Sequence, residues 1–485
     1  MSMTAVLDAR RHLDYGSRVP ANVLRRGLAT TIPVSALPRA SSTISVTMFV
    51  LASLAPSLLP RSALTQALFT GVLAAAGLGI LVLARRLRQV LIRPSASRVP
   101  RESVRLPALL GAMVATAWTI VIADHWQDSL RQAMGMNNVG PGHWMQVIIG
   151  AASTFGCLVA VGAAVSSVAH RLGWIGSATT AIVLATGLQL VAGPAVWEMM
   201  SRSYSDSNDL VDVSLHRPMS VALAGSPPSV VSWESLGRQG RRFVAAGEQS
   251  ASIRTYVGMN SAPDVQSRAA LAVSELERAG GFTRSAIVVT VPTGSGWIDE
   301  NAAKGFEERF GDDVAIVGLQ YSYAPSWITF AFGRSAAGES AAALFEAVAD
   351  RIAAVPEALR PALYVYGQSL GSVGGSAQFA DAADLNRQVC GALWAGPPAG
   401  SVMTDGATVL ANTSDPVVWW SPDLILHRPD LSRAVRDAPI PQWIPGVTFL
   451  QAGVDLVSAL NFPAGHGHRY GEEQGTALPD CDLSR

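Results

Sequence analysis

Gly367-Gln368-Ser369-Leu370-Gly371 is the stretch of this chain whose spacing points most directly to chemistry. It follows Ala362-Leu363-Tyr364-Val365-Tyr366, a short strand-like run, and precedes the small residues Ser372-Val373-Gly374-Gly375-Ser376-Ala377. A serine flanked in this way fits a strand that turns sharply into a helix and lifts the hydroxyl clear of a sheet. The glycines are needed because side chains at their positions would collide with neighbouring backbone. A hydroxyl is a poor nucleophile at neutral pH. It needs a base, normally a histidine oriented by a carboxylate, in the chain order serine, acid, histidine.

Downstream of Ser369 the histidines are His427, His466 and His468. His466 and His468 stand in Gly465-His466-Gly467-His468-Arg469-Tyr470, a glycine-rich loop after the last expected strand, where such a base belongs. Both are candidates. His468 is preferred because Tyr470 follows at a spacing suited to packing, which leaves His466 to support it. His427, in Leu426-His427-Arg428-Pro429, reads as a surface residue. A metal site at the His-x-His pair needs further ligands, and no Cys or H-E-x-x-H pattern supplies them, so neither metal nor cofactor is expected. For the acid, Asp415 closes Ala411-Asn412-Thr413-Ser414-Asp415-Pro416, directly after an expected strand at 407–411. The C-terminal ends of strands are where catalytic groups collect in open α/β sheets; the competing role for Asp415 is a plain helix N-cap. An oxyanion hole requires N–H donors aimed at the developing alkoxide. The Leu370 N–H is the expected first donor, and Thr293 or Gly294, in the loop Pro292-Thr293-Gly294-Ser295-Gly296-Trp297, the second. Trp297, Trp394, Trp419 and Trp420 would suit an apolar or acyl substrate, although each also fits plain core packing.

Alternating strands and helices must position these groups. Strands are expected at 285–291, 314–319, 362–366, 389–395, 407–411 and 446–451, with a helix at 339–354 whose face carries Leu344, Phe345, Val348 and Ile352. Apolar strands separated by helices imply a parallel sheet covered on both faces. The Ser-, Pro- and Gly-rich stretch 201–265 reads as a linker leading into this domain, which then occupies 266–485.

The preceding chain is a different material. Residues 1–200 carry 16 Arg against 6 acids and the remainder 20 basic against 30 acidic residues, for a net charge of zero. Only 15% of the chain is charged, against roughly 25% in an ordinary soluble protein, which argues against disorder and against nucleic acid as a partner. Lys304 is the sole lysine and lies outside any G-x-x-x-x-G-K-[ST] pattern, so a P-loop is excluded. Three cysteines, Cys157, Cys390 and Cys481, are too few and too scattered for a disulfide framework or a zinc cluster. Intervals free of charge at 40–60, 62–84, 106–123, 145–169 and 172–197 are each long enough to cross a bilayer. They predict an α-helical transmembrane domain of about five spans over 44–200, with its first span broken near Pro56. Small residues such as Gly71, Gly77, Gly79, Gly150, Gly156 and Gly162 suggest close helix packing. Arginine accumulates at 1–43, with six, at 85–105, with seven, and at the tight 170–173 turn. This pattern places the N-terminal segment 1–43 in the cytoplasm and, after an odd number of crossings, the chain beyond about residue 200 outside. The expected location is the inner (plasma) membrane.

With G-Q-S-L-G and G-H-G-H-x-Y following a helical membrane domain, the chain resembles the actinobacterial membrane-anchored α/β-hydrolase family that includes the corynebacterial envelope lipids regulation factor. The resemblance extends over nearly the full length apart from the first forty residues. It implies a triad of Ser369, Asp415 and one of the paired histidines and a link to cell-envelope lipid metabolism; the serine chemistry itself needs no cofactor. Thr293-Gly294 departs from the commonest oxyanion motif of such hydrolases, His-Gly-Gly. The expected function is a serine hydrolase acting on ester-linked acyl groups, with membrane lipids as partners. A serine peptidase with the same triad, and a non-catalytic membrane scaffold that binds lipid, are the competing readings.

Overall fold

The computed structural model describes residues 37–91 and 102–481. Most of the arginine-rich N-terminal segment (1–36) and residues 92–101 of the 85–105 connection lie outside the described residues. Among the described residues the N-terminal part is built of helices: α1 (Ala40–Ser53), α2 (Ala63–Leu91), α3 (Arg105–Ala133), α4 (His143–Gly187) and α5 (Gly193–Asp209). Three helices are long and apolar enough to cross a membrane, Ala63–Leu91, Glu102–Ala133 and His143–Asp209, whereas α1 has only 14 residues. In the last of these the backbone leaves helical geometry at Gly173, with φ 68° and ψ −179°, beside the turn expected at 170–173.

Contacts give the helices' relative directions. Arg85 reaches Ser42 while Ser53 donates to Thr70 Oγ1, so α1 and α2 are antiparallel. Arg86 meets Ser166 while Gly150 lies against Ala67, so α2 and the first half of α4 run parallel. A methyl group on Gly71 would stand 2.5 Å from Thr154 Cβ and one on Gly150 2.8 Å from Ala67 Cβ, so these glycines do permit close approach. Gly79, Gly156 and Gly162 face open space instead.

Beyond the membrane-type helices the chain runs through α6 (Gly237–Ala245), β1 (Ile253–Val257), α7 (Val265–Ala279), β2 (Ala286–Val291), α8 (Glu300–Phe310), β3 (Val314–Leu319), α9 (Ser326–Phe332), α10 (Arg334–Ala353) and β4 (Ala362–Gln368). It continues with α11 (Leu370–Ser376), α12 (Ala382–Gln388), β5 (Gly391–Ala395), β6 (Thr408–Leu410), α13 (Pro416–Trp419), α14 (Val447–Asp455) and α15 (Glu473–Thr476). The six strands form one sheet in the order β1-β3-β2-β4-β5-β6, parallel throughout. Strands β1, β2, β3 and β5 are buried along their whole length, as a sheet covered on both faces requires.

Three expectations need correction. The stretch 201–265 is not merely a linker, since it supplies α6 and β1, and β1 pairs with β3 from Ile253 opposite Ala315 to Val257 opposite Leu319. The 446–451 segment is not a strand but the start of α14, which buries Thr448, Gln451, Ala452 and Asp455 at helical spacing. Two of the three cysteines do pair: Cys390, just before β5, is joined to Cys481.

The two parts of the chain share a second hydrophobic core. Residues 54–61, between α1 and α2, carry Leu58 and Leu59 into a cluster with Leu130 of α3 and Met134 just after it, and with Trp419, Leu424, Ala452 and Phe462 of the sheet domain. Within this joint Arg61 Nε donates to Asp455 Oδ1 at 2.8 Å, the Leu58 N–H donates to Asp455 Oδ2 at 2.8 Å, and Arg61 also reaches the Gln451 carbonyl at 3.0 Å. Gln451 Nε2 in turn donates to the Ala52 carbonyl at the end of α1, at 2.7 Å. Asp455 is fully buried, and burial pushes its carboxyl above the usual range despite the opposing pull of Arg61.

Candidate active site

The site lies at the C-terminal ends of the strands. β4 ends at Gln368 and α11 begins at Leu370, so Ser369 alone makes the turn, with φ 54° and ψ −123°. A non-glycine residue at positive φ costs about 1–3 kcal/mol and persists only where its surroundings impose it. Here they do. A Cβ on Gly371 would stand 2.1 Å from the Val291 carbonyl oxygen of β2, and one on Gly367 2.4 Å from the Gly371 oxygen. The Ser369 N–H is held by the Ala395 carbonyl at the end of β5, at 2.9 Å.

His468 and Asp415 are joined. Asp415 is fully buried, caps α13 through Oδ1 to the Val417 N–H at 2.8 Å, and presents Oδ2 to His468 Nδ1 at 2.7 Å. A carboxylate only accepts, so Nδ1 carries the proton and Nε2 is the basic nitrogen. That Nε2 is buried and has no hydrogen-bond partner among the described residues. Asp415 thus both caps α13 and bonds the His468 ring. Tyr470 adds a third bond, its hydroxyl donating to the same Oδ2 at 2.6 Å. Burial, and then the adjacent Asp415, push the Tyr470 phenol well above its ordinary range, so it remains a donor.

The second histidine has its own acid. His466 Nδ1 lies 3.1 Å from Asp437 Oδ2, and Asp437 also accepts from the Ser414 N–H at 2.9 Å and the Thr413 hydroxyl at 3.0 Å. Asp437 thus ties the loop bearing Asp415 to the loop bearing both histidines. It was not singled out from sequence, where it sits in an irregular stretch after a Pro-rich excursion. The histidine loop is further held by the Gly467 N–H on Ser414 Oγ at 2.8 Å, by Asn412 Nδ2 on the Gly467 carbonyl at 3.0 Å, and by the His468 N–H on the Ala459 carbonyl at 2.9 Å. Leu59 from the membrane side closes on the same loop, since a Cβ on Gly467 would stand 3.3 Å from Leu59 Cδ2.

Ser369, Leu370, Thr293 and His468 all line one cavity of about 700 Å³, together with Trp297, Trp420, Phe330 and Leu460. The other two tryptophans are core residues: Trp394 is buried in the sheet and bonds the Met403 carbonyl, and Trp419 lies in the shared core. His427 is elsewhere, in a second cavity of about 660 Å³ with Arg428, Asp430 and Arg433. The Leu370 N–H opens α11, where first-turn donors lack an intrahelical acceptor. The backbone N–H groups of Thr293 and Gly294 are both engaged, with the Trp297 carbonyl at 2.9 Å and with Ser326 Oγ at 3.1 Å.

A parallel sheet with helices on both faces, a serine on a strained strand-to-helix turn, and a buried acid–histidine pair beside it define a protein of the α/β-hydrolase class. Comparison with known families makes this specific: residues 253–409 and 404–479 match the model of an alpha/beta-hydrolase family, and residues 54–247 match that of the alpha/beta-hydrolase family N-terminus. The two matches together run across most of the chain, and the protein belongs to this family, in which the hydrolase domain follows a helical N-terminal region. No curated protein and no solved structure was found to match the chain.

Proposed function

We propose that the protein is a membrane-bound serine hydrolase that cleaves or transfers an ester-linked acyl group. The observation that carries this reading is His468, with Nδ1 held by Asp415 and an unpartnered Nε2 in the cavity that Ser369 lines. In the reaction the Ser369 hydroxyl attacks the ester carbonyl as His468 Nε2 takes its proton. The tetrahedral oxyanion collapses, expelling the alcohol with that proton, and water or a second alcohol resolves the acyl-enzyme by the same route in reverse. Asp415 keeps the imidazole in the right tautomer. The Leu370 N–H serves the oxyanion; the 293–294 loop contributes through Ser326, whose hydroxyl accepts from Gly294, keeps its own proton and lines the cavity. Trp297, Trp420, Phe330 and Leu460 favour an acyl chain over a peptide. Lipids of the cell envelope are the substrate class that fits both this wall and a chain anchored in a membrane.

The topology proposed with it has five crossings, with the N-terminus in the cytoplasm and the hydrolase domain outside. The antiparallel α1–α2 pair, the parallel α2–α4 pair and the break at Gly173 support this count, and the Cys390–Cys481 bridge suits an oxidising compartment. Profiling membranes with a fluorophosphonate probe tests the chemistry: the wild-type protein should label covalently, and Ser369→Ala should neither label nor hydrolyse short acyl esters while inserting normally. Retained hydrolysis in that variant favours a different nucleophile, and absence of labelling in the wild type favours the scaffold reading.

A further inference from the structure

The cavity mouth is rimmed by two segments, each tied to a different membrane helix. One is α9, which contributes Trp327 and Phe330 to the cavity wall. The other is the turn Leu456–Ser458 and its continuation, which contributes Leu456 and Leu460. Both rims are apolar where they face outward. Trp327 is 66% exposed and Phe332 76% on α9, while Val457 is 84% and Leu460 52% exposed across the mouth. A water-soluble domain rarely leaves such a group of large apolar side chains uncovered around a site, and a contiguous patch of this kind marks a surface that meets another apolar phase.

The depth of each rim relative to the bilayer follows from its tether. On α5 the apolar run ends at Trp197, because Glu198 and Arg202 follow. Tryptophan at the end of an apolar run sits at the membrane–water boundary. The Trp197 ring packs edge-on against Phe332, with ring centroids 5.8 Å apart, which places α9 at that boundary. Eleven residues further on, about 16 Å along a helix, Asn208 is already inside the sheet domain, accepting from Gln320 Nε2 at 3.0 Å. On the opposite rim Gln451 of α14 is bonded to the Ala52 carbonyl at the end of the apolar α1, and the exposed Val457 follows within two turns. Both rims therefore stand at the level where helices leave the apolar phase.

We propose that the mouth of the cavity is seated in the outer face of the bilayer, so that a lipid acyl chain passes sideways from the membrane between α9 and the 456–460 turn to reach Ser369. This deepens the reading of the site as an acyl-ester hydrolase and rests on it for the chemistry, while the seating itself rests on the rims and their tethers. The occupant of the rim is the lipid bilayer, because α9 meets α5 through Phe332 at Trp197, the last residue of an apolar membrane-type run, and the opposite rim is tied to the end of the apolar α1.

The test uses the full-length chain in vesicles of phosphatidylcholine with a minor share of phosphatidylglycerol. In a Cys157→Ser background, Phe332→Cys, Val457→Cys and the exposed Leu359→Cys, which precedes β4 at the end of the strands away from the site, are each labelled with an environment-sensitive nitrobenzoxadiazole dye. The dye at 332 and 457 should emit as in an apolar phase and be quenched by a doxyl-labelled lipid, and the dye at 359 should do neither. In parallel, the double variant Phe332→Ser, Val457→Ser should hydrolyse a long-chain umbelliferyl ester dissolved in the bilayer about tenfold more slowly than the wild type, with a short water-soluble ester unaffected. Water-like emission at both rim positions overturns the proposal. So does a dye shielded from water yet untouched by the doxyl lipid, since another protein then covers the rim, and so does an equal loss on both esters. The dye readout needs no activity, so a failure of the serine chemistry leaves the seating decided on its own.

Discussion

The two halves of the site are built on different supports. Ser369 and the Leu370 N–H stand on the sheet: the turn is boxed in by β2 and β5, and its strain is maintained by strands buried on both faces. Asp415 and His468 stand on loops beyond β6, and these are held by one another, by Asp437 and by Leu59 of the connection between α1 and α2, while Arg61 of the same connection holds α14, which precedes the histidine loop. A rigid sheet can fix a nucleophile with few auxiliary bonds. Loops need a network, and here part of that network belongs to the membrane domain, which gives this domain a role in the site beyond anchoring.

The sharpest way to break this comparison is at the two histidines, which sit two residues apart with separate acids. His468→Ala should lower turnover about as severely as Ser369→Ala, by roughly 10⁴-fold or more, because the members of a triad act as one unit and their losses do not add. His466→Ala should cost about 10–100-fold, the range seen when a partner that orients an active group is removed. Turnover of the two single variants, and of each combined with Asp415→Asn, measures this. If His466→Ala is the severe one, the proton is taken through the Asp437 pair and the assignment reverses.

A smaller effect is expected at the joint. Arg61→Ala leaves Asp455 buried without its counter-ion, and breaking a buried pair in this way costs about 3–5 kcal/mol. The variant should melt earlier in detergent micelles. The residual folded protein should turn over about tenfold more slowly at an unchanged KM, since a loop misplaced by a fraction of an ångström loses rate rather than affinity. Arg61→Ala, Asp455→Ala and the double variant form a cycle, and the double should cost well under the sum of the singles. Strict additivity would show that the pair is not coupled, and normal turnover in folded Arg61→Ala would free the histidine loop from the membrane side.

The same contrast explains what the sequence disclosed. Gly367 to Gly371 was legible because a strained turn after a buried strand demands glycine at fixed positions, and the spacing survives translation into sequence. Asp415 was legible from its place after a strand. The 446–451 run is a helix although Val447, Thr448 and Phe449 favour strands locally, because the face that α14 buries is largely polar, with Gln451 Nε2 and Asp455 bonded to Ala52 and Arg61 nearly four hundred residues away. No local pattern reports such a partner. β1 was hidden for a similar reason: Arg254 interrupts the strand's apolar run and is buried against distant partners, Glu307 at 2.7 Å and the Phe243 carbonyl at 3.0 Å. Tyr470 was noted for its packing, but that its hydroxyl bonds Asp415 needs the folded loop.

That hydroxyl supports the mildest prediction. Tyr470 shares Asp415 Oδ2 with His468, at 2.6 Å and 2.7 Å. The two donors fix the carboxylate plane from two sides, and Val417 fixes its other oxygen. Tyr470→Phe removes one of three bonds and preserves the ring that packs edge-on to His468. A hydrogen bond to a charged group is worth about 1.5–3 kcal/mol, but the remaining two bonds keep Asp415 satisfied and in place. The variant should therefore fold, melt slightly earlier and lose about tenfold or less in kcat at constant KM. A loss as deep as that of Asp415→Asn would mean that Tyr470 and Asp415 act as a single unit in holding the histidine. No change at all would mean that the loop network alone, anchored through Asp437 and Leu59, is enough to aim the imidazole.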